Sequence, residues 1–138
     1  MRETPALKYL QELRFAKTKA EHPNFPYPVK KKYSDTTANA LTAAVVDFIN
    51  LSGGIATRIS SEGRWLPSKG IRIPSNTKKG IADVHAVYKG LHLSIEIKIG
   101  KDKQSPAQVE MQNRVEAAGG HYYIAKDFQS FYDWITKL

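Results

Sequence analysis

The sequence predicts an α/β fold, a mixed sheet flanked by helices, and three observations carry that prediction. Residues 91–99 alternate strictly, with Leu91, Leu93, Ile95, Ile97 and Ile99 set against His92, Ser94, Glu96 and Lys98. That period of two is the pattern of a half-buried strand. Ahead of it, Lys89-Gly90 suits a two-residue turn, which joins this strand to the strand-like run 81–88. After it come a capped helix start and a further apolar run at 121–125, which completes a β–α–β unit. Its two strands should lie parallel, linked by a right-handed crossover.

The elements follow in order. Residues 5–20 carry Leu7, Tyr9, Leu10, Leu13 and Phe15 among Lys and Arg, a helical pattern. Pro23, Pro26 and Pro28 then forbid regular helix. Residues 1–33 therefore read as an appended arm, a short helix and an extended linker, and the main domain is expected over residues 34–138. Its first helix should start at Ser34 or Asp35, both good N-caps, and run to about residue 51. Ala38, Leu41, Val45 and Phe48 form its buried stripe, and Ser52, Gly53 and Gly54 end it. A candidate strand at 55–60 precedes a Gly-, Ser- and Pro-containing basic loop that reaches residue 79. Past the hairpin, Ser105 is an N-cap, Pro106 sits at N1 and Gln108 holds the reciprocal capping-box position. Gly119 and Gly120 stop that helix. A final helix over 127–137 places Phe128, Phe131, Trp134 and Ile135 on one face.

The 138 residues suit a single core of ordinary globular composition, 41% hydrophobic and 25% charged. No apolar segment approaches the roughly 20 residues that span a bilayer, so no membrane partner is expected. The chain has no cysteine. That excludes disulfides, thiolate zinc sites and cysteine nucleophiles, and it fits a cytoplasmic, intracellular protein. The net charge of +8 calls for a polyanionic partner, of which nucleic acid is the commonest. Its distribution strengthens the point. Arg58, Arg64, Lys69, Arg72, Lys78 and Lys79 face a single acid, Glu62, over one loop. An anionic membrane would instead call for an amphipathic basic helix.

The hairpin register brings the chemistry together. If the turn is Lys89-Gly90, Tyr88 faces Leu91. Counting outward then pairs Val87 with His92, His85 with Ser94, Asp83 with Glu96, and Ile81 with Lys98. The opposite face, with Ala82, Val84 and Ala86 against Ile97, Ile95 and Leu93, is wholly apolar. Opposed Cβ atoms in such a pair lie about 4.5–5.5 Å apart. Two carboxylates at that distance destabilise a sheet unless one takes a proton or a cation sits between them. Mg²⁺ commonly uses one or two carboxylates and keeps water or substrate phosphate for the rest. Lys98, two residues beyond Glu96 on the same face, can position a water or stabilise growing phosphoryl charge. Alone, Glu-x-Lys on a strand marks a solvated face with a weak ion pair. Asp83 opposite, the capped helix and the basic charge turn it toward catalysis.

Residues 34–138 resemble the PD-(D/E)XK, or restriction-endonuclease-like, nucleases, and most of all the compact VRR-NUC and phage Holliday-junction-resolvase group. The resemblance rests on Gly80 to Asp83, on Leu93 to Lys98, on Ser105 to Gln108 and on Gly119 to Ala125 in that order. It implies a restriction-endonuclease-like core. It implies a Mg²⁺ or Mn²⁺ ion held by Asp83, Glu96 and the Ile97 carbonyl, a catalytic Lys98, and Gln108 reaching from its helix toward the site. Branched, flapped or junction DNA would be the substrate, and a bacterial or phage cytoplasm the setting. The family often has an acid on the first helix. The aligned residue here is Asn39, so one metal ion is expected rather than two.

Arg58, Arg64, Arg72, Lys78, Lys79 and Lys101 are the candidate DNA contacts, with a solvated loop as the plainer alternative. Trp65 and Arg64 would stack on an unpaired base or simply be half-buried. His85 and His92 share the polar face and would touch the metal, act as a base, or be surface histidines. Two rivals to a DNA endonuclease stay open: a catalytically weak DNA-binding module of the same fold, and a small basic assembly protein whose apolar arm makes a homodimer.

Overall fold

The computed structural model describes residues 3–60 and 63–138, and the α/β reading holds in it. The order is α1 (Pro5–Glu21), α2 (Ala38–Leu51), β1 (Ile55–Arg58), β2 (Arg64–Leu66), β3 (Ile71–Ile73), β4 (Val84–Tyr88), β5 (Leu91–Ile97), α3 (Pro106–Ala117), β6 (His121–Ala125) and α4 (Phe128–Ile135). β1, β4, β5 and β6 form a mixed sheet in that spatial order, antiparallel except for the β5–β6 pair.

The turn sits where the sequence places it. Lys89 and Gly90 both take positive φ, 51° and 77°, as a type I′ turn demands. The register follows, with Tyr88 on Leu91, Val87 on His92, Ala86 on Leu93, His85 on Ser94 and Val84 on Ile95. β4 begins at Val84 rather than at residue 81. Just before it, the Asp83 carboxylate accepts the Ile97 N–H at 2.8 Å, and its carbonyl accepts the Ile59 N–H at 2.8 Å. The side chain of Asp83 thus takes a place that backbone would fill in a longer ladder.

The apolar face of the sheet, Val84, Ala86, Tyr88, Leu93, Ile95 and Ile97, is buried with Leu41, Val45, Phe48 and Ile49 of α2 and Phe128, Phe131 and Ile135 of α4. α1 is not appended to this core but part of it, since Leu7 and Leu10 are fully buried within it. Ala6 donates its N–H to Gln129 Oε1 of α4, and Gln11 Oε1 accepts the Tyr33 N–H. The apolar stripe that suggested a dimerisation arm is used within the molecule.

Two expectations need correction. α2 is capped by Thr37, whose side chain accepts the Ala40 N–H, and not by Ser34 or Asp35. Ser34 Oγ instead accepts the Thr36 N–H, closing a local turn ahead of the helix, three residues before the cap. The Asp35 carboxylate accepts the Phe128 N–H, tying the entry of α2 to the start of α4. The basic loop, for its part, holds a separate two-stranded ribbon, β2 with β3.

Candidate active site

α3 packs against β6 with none of its residues fully buried and with Ala107, Gln108, Met111, Gln112 and Val115 half-buried. Its N-terminus is built as expected: Ser105 Oγ accepts the Gln108 N–H, and Gln108 Oε1 accepts the Ser105 N–H at 2.8 Å. With its oxygen fixed by the cap, the Gln108 amide aims its nitrogen at the sheet, where Nε2 donates to Glu96 Oε1 at 2.9 Å. Capping and reaching toward the site are therefore one function of one side chain.

Glu96 is 1% exposed. Its second oxygen accepts from the Tyr122 hydroxyl at 3.1 Å, and Gln104 Nε2 reaches both that hydroxyl (3.4 Å) and Gln112 Oε1 (3.0 Å). Burial pushes the Glu96 carboxyl up to about 8, and the hydrogen bond and charge of Asp83 push the same way. The Tyr122 hydrogen bond and the Lys98 charge oppose them. The Tyr122 phenol is itself raised, by burial first and then by the Glu96 charge. Lys98 is buried, with Nζ 3.9 Å from Glu96 Oε1 and 3.7 Å from Asp102 Oδ2. Beside it opens a cavity of about 150 Å³, lined by Lys98, Asp102, Lys103, Gln104, Ile124 and Lys126. Three lysines and one aspartate thus line it, and the Lys98 ammonium faces both Glu96 and Asp102.

Asp83, Glu96, Lys98 and Gln108 thus meet at one end of the sheet. Among the described residues no group of three or more His, Cys, Asp or Glu side chains is set to hold a metal ion. The site offers two carboxylates, and a divalent cation that takes its remaining donors from main chain, water and substrate phosphate fits that inventory.

The histidines turn to each other instead. His85 Nδ1 and His92 Nε2 lie 3.3 Å apart. Burial, and then the nearby His92, lowers the His85 pKa and favours its neutral form. His85 Nε2 and Ser94 Oγ are buried with no hydrogen-bond partner among the described residues. Asn39 is exposed and accepts from Arg58 Nη2 at 2.9 Å. Arg58 closes β1 opposite Val84, one residue from Asp83. Arg64 and Arg72 belong to the ribbon, Lys78 and Lys79 to the segment that leads from it to β4, and Lys101 to the turn after β5; all are exposed. Trp65 is 55% exposed and not half-buried in a core.

Sequence reasoning missed Tyr122, Gln104, Lys103 and Lys126. For Tyr122 a signal existed. In the parallel pairing Ser94 lies opposite Tyr122, so the period of two puts Tyr122 on the face that Ser94 shares with Glu96. No protein-family model matches the sequence, and no curated protein is significantly similar to it.

Proposed function

We propose that this protein is a divalent-metal-dependent nuclease that hydrolyses phosphodiester bonds in DNA. The observation that supports it most is half-buried Asp83 set beside buried Glu96, with a buried lysine, Lys98, next to them and a lysine-lined cavity adjoining. Asp83 and Glu96 would hold Mg²⁺ or Mn²⁺, with the Ile97 carbonyl as a further donor. When bound, such an ion polarises a phosphoryl oxygen and acidifies water.

The chain's own residues supply the rest. Gln108 and Tyr122 each fix one Glu96 oxygen and so hold its rotamer. The Ile97 N–H holds the Asp83 carboxylate beside it. Lys98 would orient an attacking water or stabilise charge growing on the phosphoryl oxygens, and Lys103 and Lys126 would draw the substrate phosphate toward it. Branched or flapped DNA is the favoured substrate on the resemblance to junction-resolving nucleases, and the cytoplasm the favoured setting.

Labelled linear, flap, splayed and four-way-junction DNA, incubated with Mg²⁺ or Mn²⁺, tests the reading. We expect metal-dependent cleavage by the wild type and a loss of at least about 100-fold in Lys98→Ala and in Asp83→Asn. Equal cleavage by Lys98→Ala, or no cleavage of any substrate, would overturn it. Asn39, which leaves the metal site without a third acid, favours a second reading, a DNA-binding module of weak catalysis. Binding without cleavage in the same assay would support that one.

A further inference from the structure

The β2–β3 ribbon is unlike the rest of the molecule. It lies outside the main sheet, and five of its six paired residues are exposed, including Trp65, Ile71 and Ile73. An isolated two-stranded ribbon is marginal in water, so one that buries so little is built to gain contacts from something else. Residues 63–79 carry five basic side chains and no acid, with Glu62 just before them. In the ribbon's register Trp65 lies opposite Arg72. An aromatic ring and a guanidinium therefore share one face.

The ribbon's base continues that face. A cavity of about 410 Å³ is lined by Gly63, Arg72, Pro74, Ser75, Thr77 and Lys79, two cations with two hydroxyls. Its two ends also lead into the candidate active site. Ser75 and Thr77 bond the Ser60 carbonyl, next to Ile59, whose N–H bonds Asp83. On the return, Lys79 borders a cavity with Ala107, Glu110, Met111 and Arg114 of α3, and Asp83 is four residues on.

We propose that this ribbon grips unpaired nucleotides, with Trp65 stacked on a base and Arg72 and Lys79 on the adjoining phosphate. In a duplex the base faces are already stacked, so an exposed indole gains a partner only where the strand is single. The basic run follows the backbone whatever the sequence. The inference deepens the nuclease reading, and rests on it where it directs single-stranded DNA toward Asp83 and Glu96; the substrate it names is DNA with an unpaired strand beside the scissile phosphate.

The test is binding by the full chain in EDTA, where no bond is cut. A short single strand, a blunt duplex and a duplex carrying a single-stranded flap are titrated by anisotropy, and tryptophan emission is followed with unlabelled strands. Single strand and flap should quench the emission. Trp65→Ala should abolish the quench and weaken both ligands about tenfold. The blunt duplex should change by less than about twofold, since stacking contributes nothing there. Trp65→Phe, which keeps a ring, should retain most of the affinity. A quench that survives Trp65→Ala, or a loss equal for all three ligands or absent for all, would overturn the inference. Because no cation is present, failure of cleavage would leave this result standing. Cleavage without any single-strand preference would remove the ribbon's role and leave the nuclease reading intact.

Discussion

Between Gln108, Tyr122 and Asp83, the carboxyl of Glu96 has lost its water and gained a like-charged neighbour. Its ordinary value near 4.5 rises to about 8, and this ties stability to pH. Between those values the folded chain holds a proton that the unfolded chain has released, so the unfolded state binds fewer protons and stability falls as pH rises. Below the window both states are protonated, and above it both are ionised. In EDTA, Glu96→Gln should therefore flatten the pH profile and exceed the wild type at pH 8 by on the order of 2 kcal/mol. Chemical unfolding at a series of pH values reads this directly. A variant whose profile runs parallel to the wild type would show that Glu96 does not carry the proton. Glu96 and Lys98 were visible in the sequence as a short motif, and Asp83 joined them through local turn chemistry. Tyr122 was not seen, because its place depends on a parallel pairing across a helix, a contact that no local pattern encodes.

Gly80 joins two elements that the site needs in contact. Its φ is +80°, and a Cβ there would lie 2.3 Å from the Ala107 carbonyl oxygen and 3.0 Å from the Gln108 nitrogen. Only glycine lets the turn that returns from the ribbon press against the first turn of α3, the turn that aims Gln108 at Glu96. Gly80→Ala combines a left-handed backbone with a main-chain collision, and should cost about 2 kcal/mol or more in urea unfolding. Unchanged stability would mean that α3 is free to shift, and that the Gln108–Glu96 bond is not held from this side. Elements with strong local signals were legible: the Lys89-Gly90 turn set the hairpin register, and the capping box at Ser105 set the start of α3. The ribbon was not, since strands of three residues are too short to show alternation. The cap of α2 was also missed. Ser34, Asp35 and Thr37 are all cap-forming residues, and of these Asp35 is drawn away to the Phe128 N–H while Ser34 closes a local turn with Thr36.

At the scale of the whole molecule, the question is whether the N-terminal segment folds with the rest or beside it. Three prolines after α1 say only that the helix stops; they do not say where the chain goes next. The structure shows it returning. Tyr33 is buried, its N–H bonded to Gln11 and its hydroxyl donating to Asp47 at 2.6 Å, while Asp35 bonds the first turn of α4. The opposite end is tied as well, since Gln129 of α4 accepts the Ala6 N–H. Leu7 and Leu10 are 0% exposed in the same core as Phe48 and Phe131. A helix fastened in this way should not melt alone. Leu10→Ala removes buried methyl groups and should destabilise the entire chain by about 2–4 kcal/mol. The loss should appear as one cooperative transition, seen at the same midpoint by far-ultraviolet circular dichroism and by fluorescence, to which Trp134 contributes from its stack on Tyr123 at 4.3 Å. An autonomous arm would behave differently. The dichroism would show an early partial loss while the emission of Trp134, on α4, kept its wild-type midpoint. Coincident, shifted transitions would place α1 in the cooperative unit that holds Asp83, Glu96 and Lys98 together, so that damage at Leu10, on a helix that carries none of these side chains, would lower the fraction of chains with an assembled site.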